Sequence, residues 1–226
     1  MERYDSLIKK LNSLANKDNV AGMQRFGIKG GKMLGISVTV IRKLAGEYKR
    51  DHALALKLWE SGIHEARIMA SIIADPEQLD EKMMDKWTAD FDSWDTVDQV
   101  CGNLYSRRPD LAYNKIGKWS RDNREFVRRA AFSLLCYLTV HDKTATDDKL
   151  AAYFPLIKKY SSDERNFVRK AVNWSLRQIG KRNKNLNKKA AELALDLSKS
   201  EDKTARWIGK DAYRELTDVK VRSRLD

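Results

Sequence analysis

Shifted by 41 residues, the sequence meets a copy of itself. Ser120-Arg-Asp-Asn-Arg-Glu-Phe-Val-Arg-Arg-Ala130 aligns with Ser161-Ser-Asp-Glu-Arg-Asn-Phe-Val-Arg-Lys-Ala171 and is identical at seven of eleven positions. Thr204-Ala205-Arg206-Trp207-Ile208 repeats the pattern more weakly, 37 residues after Arg169, and Glu65-Ala66-Arg67-Ile68-Met69-Ala70 is a fainter upstream copy. A chain with such a period folds as stacked units, because one unit alone cannot bury its apolar face.

The units are helical. Apolar residues recur at three- and four-residue spacing, as in Leu7-Ile8-Leu11-Leu14-Ala15, Val40-Ile41-Leu44-Ala45 and Leu54-Leu56-Leu58-Trp59, and no segment alternates as a strand does. Only 11 Gly and 3 Pro interrupt the chain, which suits helices. Asp75-Pro76-Glu77 reads as a helix start, with Asp as cap and Pro in the first turn. Two helices per unit of about 40 residues describe a HEAT-like array. The expectation is therefore all-α: a HEAT-like helical-repeat solenoid with a concave basic groove, one domain over 1–226. Its last repeat, about 186–226, serves as a cap.

Charge is unevenly spread. Residues 1–100 hold 15 Lys and Arg against 16 Asp and Glu, whereas residues 101–226 hold 29 against 16. A basic half suits a polyanion, since each neutralised phosphate releases counterions; a merely soluble basic surface is the alternative. No stretch is apolar for the 18 residues that a membrane span needs. The start, Met1-Glu2-Arg3-Tyr4-Asp5, lacks a signal-peptide pattern. A cytoplasmic location is expected. Cys101 and Cys136 form no CxxC, and His52, His64 and His141 are scattered, so no metal site is expected.

The repeated Arg128 and Arg169 project from one face of successive units. Either they line a basic trough, or they pair with Asp122 and Asp163 in the preceding turns. Their neighbours Arg129 and Lys170 are the better candidates for an open face. The most unusual segment is Ser93-Trp94-Asp95-Thr96-Val97-Asp98, in which Trp94 and Asp98 share a helix face. A second indole, Trp174, shares a face with Lys170 and Arg177. It occupies the place that Ser133 holds one period earlier.

These residues resemble the AlkD-like DNA alkylation repair family of HEAT-repeat glycosylases. The matching pieces are Met23-Gln24-Arg25-Phe26, Leu34-Gly35-Ile36, Arg42, the Ser93–Asp98 segment, Asp122-Asn123, Arg129-Ala130-Ala131, Lys170-Ala171, Trp174 and Leu176-Arg177. They run from about residue 20 to 180 in the family's order. The resemblance implies that Asp98 is the catalytic carboxylate and that Trp94 and Trp174 flank the deoxyribose of the damaged nucleotide. It also implies that Arg129 and Arg177 grip the DNA backbone. Phe26 stands where the best-known members have Tyr, so a hydroxyl contact is missing, and Thr39 stands where Pro often begins a helix.

The chemistry fits these roles. Alkylation at purine N3 or N7 makes the base a cationic leaving group, and its departure leaves positive charge on the sugar. A carboxylate stabilises that charge and orients water, and indole faces attract it. No cofactor or metal is required. The sequence thus predicts a monofunctional glycosylase for N3-alkyladenine and N7-alkylguanine, acting as a monomer on double-stranded DNA containing alkylated bases. In the resembled family the concave surface engages the backbone without a tight base pocket. The alternative is a HEAT-like nucleic-acid or protein scaffold without catalysis. Asp98 between two exposed indoles favours the enzyme.

Overall fold

The computed structural model describes residues 2–225, and every regular element among them is helical, apart from one isolated bridge between Lys32 and Ile63. The repeat reads as one domain; the contacts group the residues into two compact units, Met1–Leu111 and Ala112–Asp226. The three clearer copies of the repeat lie in the second unit and the faint one in the first.

The first unit comprises α1 (Glu2–Ser13), α2 (Lys17–Arg25), α3 (Val38–Ala45), α4 (His52–Glu60), α5 (His64–Ile73), α6 (Glu81–Ala89) and α7 (Trp94–Asn103). Side-chain oxygens start most of them: Asn16, Ser37, Asp51 and Asp80 each accept an N–H from the first turn, which satisfies donors the helix itself leaves over. Asp75 does the same for a single 3-10 turn at Pro76–Gln78 rather than for a full helix. Helix α5 is central, packing against α3, α4 and α7. The core of this unit includes the parallel stack of Trp59 on Trp87, with ring centroids 4.1 Å apart and Phe91 edge-on to the first. Both indoles are buried, and burial of side chains this large contributes about 3 kcal/mol each. Trp59 meets its polar requirement by donating Nε1–H to Asp90, 2.8 Å away.

The second unit comprises α8 (Pro109–Ser120), whose first turn carries the boundary, then α9 (Glu125–His141), α10 (Asp147–Ala151), α11 (Phe154–Tyr160), α12 (Asn166–Gly180), α13 (Lys184–Ser198), α14 (Lys203–Leu216) and α15 (Val219–Arg222). Helices α9, α12 and α14 carry the three copies of the repeat. α9 packs on α12, and α12 on both α13 and α14. At the α13–α14 contact a Cβ on Gly209 would lie 2.2 Å from the Ser198 amide nitrogen and 2.5 Å from the Leu197 carbonyl carbon. Only glycine admits so close an approach.

The conserved spacing within the repeat has a structural purpose. Asp122 accepts from the Arg124 amide at 2.8 Å and from its guanidinium. Asp163 repeats this with Arg165 and also accepts from Arg128 at 2.8 Å. The Arg124 hydrogen bond holds the Asp122 carboxyl down to about 2. Burial pushes Asp163 up, but its bonds to Arg165 and Arg128 outweigh that and leave it below the usual range. Arg128 therefore pairs with the turn before α12, the next copy's equivalent of the Asp122 turn, and not with Asp122 before its own helix. Arg169 also departs from the expected pairing with Asp163: it donates to Asn166 and lies 5.2 Å from the centre of the Trp207 ring.

The two acids should differ in weight. Asp163 is 6% exposed and holds two arginines, while Asp122 is 27% exposed and paired with the exposed Arg124. Asp163→Ala leaves two part-exposed guanidinium groups without their carboxylate and should cost about 2 kcal/mol in urea denaturation; Asp122→Ala should cost at most about 1 kcal/mol. Equal losses would contradict the clamp described here.

Candidate nucleic-acid interface

In the first unit the sequence-predicted residues gather around α7. The buried stripe of this helix is Thr96, Val97, Val100 and Cys101. Trp94 and Asp98 flank it one turn apart, each half-buried. Trp94 donates its Nε1–H to the Phe26 carbonyl at 3.1 Å, tying the end of α2 to the start of α7. The Phe26 ring itself is 76% exposed. Arg42 on α3 donates to Gln99 and Asn103 of α7 at 2.9 and 3.1 Å, so this arginine of the family pattern positions the helix.

Beneath this surface lies a buried polar network that the sequence reading missed. His64 Nε2 is 2.8 Å from Asp95 Oδ2, the Ser93 hydroxyl donates to the other Asp95 oxygen, and Thr96 Oγ1 is 3.3 Å from His64 Nδ1. Next to it, Glu65 has no exposure and accepts the amides of Leu34, Gly35 and Ile36 at 2.9, 2.6 and 3.2 Å. Gly35 has φ +77°, and a Cβ there would lie 2.1 Å from the Asn16 carbonyl oxygen. Both reasons require glycine. The 31-residue separation of His64 and Asp95 left no local signal. Leu34-Gly35-Ile36 was visible only as a piece of the family pattern, without its partner Glu65.

In the second unit, Lys170, Trp174 and Arg177 share one face of α12, as their spacing predicts. Lys170 is exposed and Trp174 half-buried, its ring edge-on to Tyr137 at 5.4 Å. Arg177 donates to Glu215, which also accepts from Lys181 at 2.7 Å. Burial pushes Glu215 up, but these two cations outweigh it and hold its carboxyl below the usual range. Arg177 thus already has a carboxylate partner, which it shares with Lys181. Arg129 corrects the expectation of an open face: it is 5% exposed and donates to the Phe167 carbonyl at 2.7 Å. The cause is its helix. From Val127 to Thr139 only Arg128 and Tyr137 of α9 escape full burial, so the position equivalent to Lys170 is covered here. Ser133, equivalent to Trp174, is likewise buried.

Among the described residues no three His, Cys, Asp or Glu side chains are placed to share a metal ion, and no helix is long and apolar enough to cross a membrane.

The sequence matches the model of the DNA alkylation repair enzyme family over residues 7–216. The chain belongs to that family. A solved structure described as a new family of proteins related to the HEAT-like repeat DNA glycosylases, with affinity for branched DNA structures, superimposes with a TM-score of 0.78. The two are 20% identical, and the match covers 93% of this chain and 94% of that one. At that identity the likeness establishes the fold, a HEAT-like repeat of helix pairs. No curated protein matches the sequence.

The His64–Asp95 pair gives this family member a pH signature. Burial lowers the His64 pKa, but the hydrogen bond and charge of Asp95 outweigh it and leave it above 6.5. Burial raises Asp95, and the same pair outweighs that and leaves it below 3.8. The histidine's contribution is full below about pH 6.5 and fades as pH rises through its raised pKa. The aspartate's is full above about pH 4 and fades as pH falls. Urea denaturation should therefore show the largest gap between wild type and Asp95→Asn near pH 5.5, shrinking at pH 8.5. A gap that grows with alkaline pH would refute the pairing.

Proposed function

We propose that this chain is a monofunctional DNA glycosylase that removes N3-alkyladenine and N7-alkylguanine from duplex DNA. The observation that carries the reading is the pair on α7: an indole and a carboxylate, Trp94 and Asp98, both half-buried beside the same stripe. Family membership supports a role in DNA alkylation repair.

In the proposed reaction the C1′–N bond breaks and its electron pair leaves with the base, whose positive charge is thereby neutralised. Positive charge develops on the sugar. Asp98 stabilises it and orients a water molecule, which bonds to C1′ and passes its proton to the Asp98 carboxylate and from there to solvent. Trp94 offers an indole face to the same cationic sugar, and Trp174 offers a second indole to the bound DNA. Lys170 and Phe26 contact the DNA strand. Arg177 reaches a phosphate by exchanging its bond to Glu215. Arg129, covered as it is, acts on the strand by fixing the start of α12 through Phe167.

A second reading is favoured by the similar structure, which is described as having affinity for branched DNA: a DNA-binding protein without excision. The two readings separate cleanly. Asp98→Asn should keep DNA binding and lower release of free alkylated base by about 10²-fold or more. Undiminished excision by that variant would remove Asp98 from the mechanism. Failure of the wild type to release base, with tight binding to a four-way junction, would establish the second reading.

Binding itself should be steeply salt-dependent. With the positive charge concentrated after residue 100, log K should fall with log salt by about 0.9 per phosphate contacted. Lys170→Ala should reduce that slope by about one contact for damaged and intact duplex alike. An affinity indifferent to salt would count against any phosphate-gripping surface.

A further inference from the structure

The periodicity gives the third copy of the repeat, on α14, no role beyond capping. Burial fixes its register on the second copy. Ala205, Ile208 and Ala212 of α14 are buried, as are Val168, Ala171 and Ser175 of α12, each 37 residues earlier. In that register Asn166, Lys170, Asn173 and Arg177 of the second copy become Lys203, Trp207, Lys210 and Arg214 of the third. All four residues of the third copy are exposed. Their spacings of four, three and four place them in one stripe along the helix.

Two features of the stripe call for a partner. Trp207 is 40% exposed, and no described residue accepts its ring N–H, whereas Trp59 and Trp94 each donate theirs within the protein. A capping repeat needs a polar outer face. That accounts for lysines but not for an indole, whose exposure forfeits the gain of burial. The lysines are the second feature, since neither Lys203 nor Lys210 enters an ion pair among the described residues. The acids of this helix start are otherwise engaged: Asp211, beside the stripe, accepts from Arg214 at 2.5 Å and from Asn173 at 2.7 Å, and Asp202 caps the Ala205 amide. From α12, Arg169 adds a guanidinium 5.2 Å from the centre of the Trp207 ring.

Cation, indole and cation alternate along α14 as phosphate, sugar and phosphate alternate along a nucleic-acid strand. Lys203 and Lys210 stand about 10.5 Å apart along the axis, and their flexible four-carbon stems let both ammonium groups close on neighbouring phosphates. The indole between them offers an apolar face to the deoxyribose and an N–H to a phosphate oxygen.

We propose that α14 extends the DNA interface to the third copy of the repeat, with Lys203 and Lys210 on neighbouring phosphates of one strand and Trp207 against the deoxyribose between them. The contact is to the backbone, and the bases stay stacked in the duplex. It rests on the DNA-binding part of the function proposed above and on no catalytic step.

The test is fluorescence anisotropy over a salt series, with a labelled, undamaged, blunt duplex of two helical turns, about 21 base pairs, and with one of its single strands. Lys203→Ala and Lys210→Ala should each lower the slope of log K against log salt by about 0.9. Trp207→Ala should weaken binding about fivefold with the slope unchanged. Lys188→Ala removes an exposed cation of α13 that also lacks an ion pair among the described residues, and it should bind as wild type does. All these side chains are exposed, so the melting temperatures should stay close to that of wild type. If Trp207→Ala nevertheless loses stability, Trp207→Leu keeps the apolar bulk without the ring N–H, and the two lysine variants decide the phosphate contacts by themselves. Wild-type slopes in both lysine variants, or an equal drop in slope for Lys188→Ala, would overturn the proposal, since affinity would then ignore the stripe or follow net charge alone. A preference for the single strand that disappears in Trp207→Ala would assign the indole to an unpaired base and overturn the backbone contact. Wild-type binding to duplex with no effect of any stripe variant sinks the stripe alone. Stripe effects without release of alkylated base sink the glycosylase reading alone, and a wild type that binds no DNA sinks both.

Discussion

The first unit depends on a carboxylate that water does not reach. Glu65 opens α5, the helix on which α3, α4 and α7 pack, and it accepts three consecutive amides from residues 34–36. Those amides belong to no helix or sheet, and a buried backbone donor without an acceptor costs about 1–3 kcal/mol. One side chain therefore fixes an irregular loop at the centre of the unit. The carbonyls of Leu34 and Gly35 then hold α2 from the other side of the same loop. Through Trp94 and Phe26 the end of α2 is coupled to α7. Helix α2, none of whose residues is buried, is thus attached near its ends by hydrogen bonds rather than drawn down by apolar packing.

The second unit uses charge differently. Several of its cations are engaged internally, since Arg128 and Arg165 converge on Asp163 and Arg177 and Lys181 on Glu215. Arg128, Arg177 and Lys181 bridge successive copies of the repeat, whereas Arg165 pairs within its own turn. A surface charge such as Lys170 is not constrained in that way. Net charge alone is thus a poor guide to which cations meet a polyanion, although it does bear on whether one is met.

The repeat, the helix pairs and the family were legible in the amino-acid order, because period and apolar spacing are local properties and helix faces follow from 3.6 residues per turn. The same logic placed Trp94 with Asp98, and Lys170 with Trp174 and Arg177. It failed at Arg129, where two copies of one motif stand in different surroundings: α9 is covered almost all round and α12 is not. It also could not see Glu65 or the His64–Asp95 pair, whose partners lie about 30 residues away and leave no periodic trace. Sequence determined which residues share a helix face. Tertiary structure decided which of those faces stay open and which charges are already matched, since burial and pairing depend on neighbours brought together only by packing.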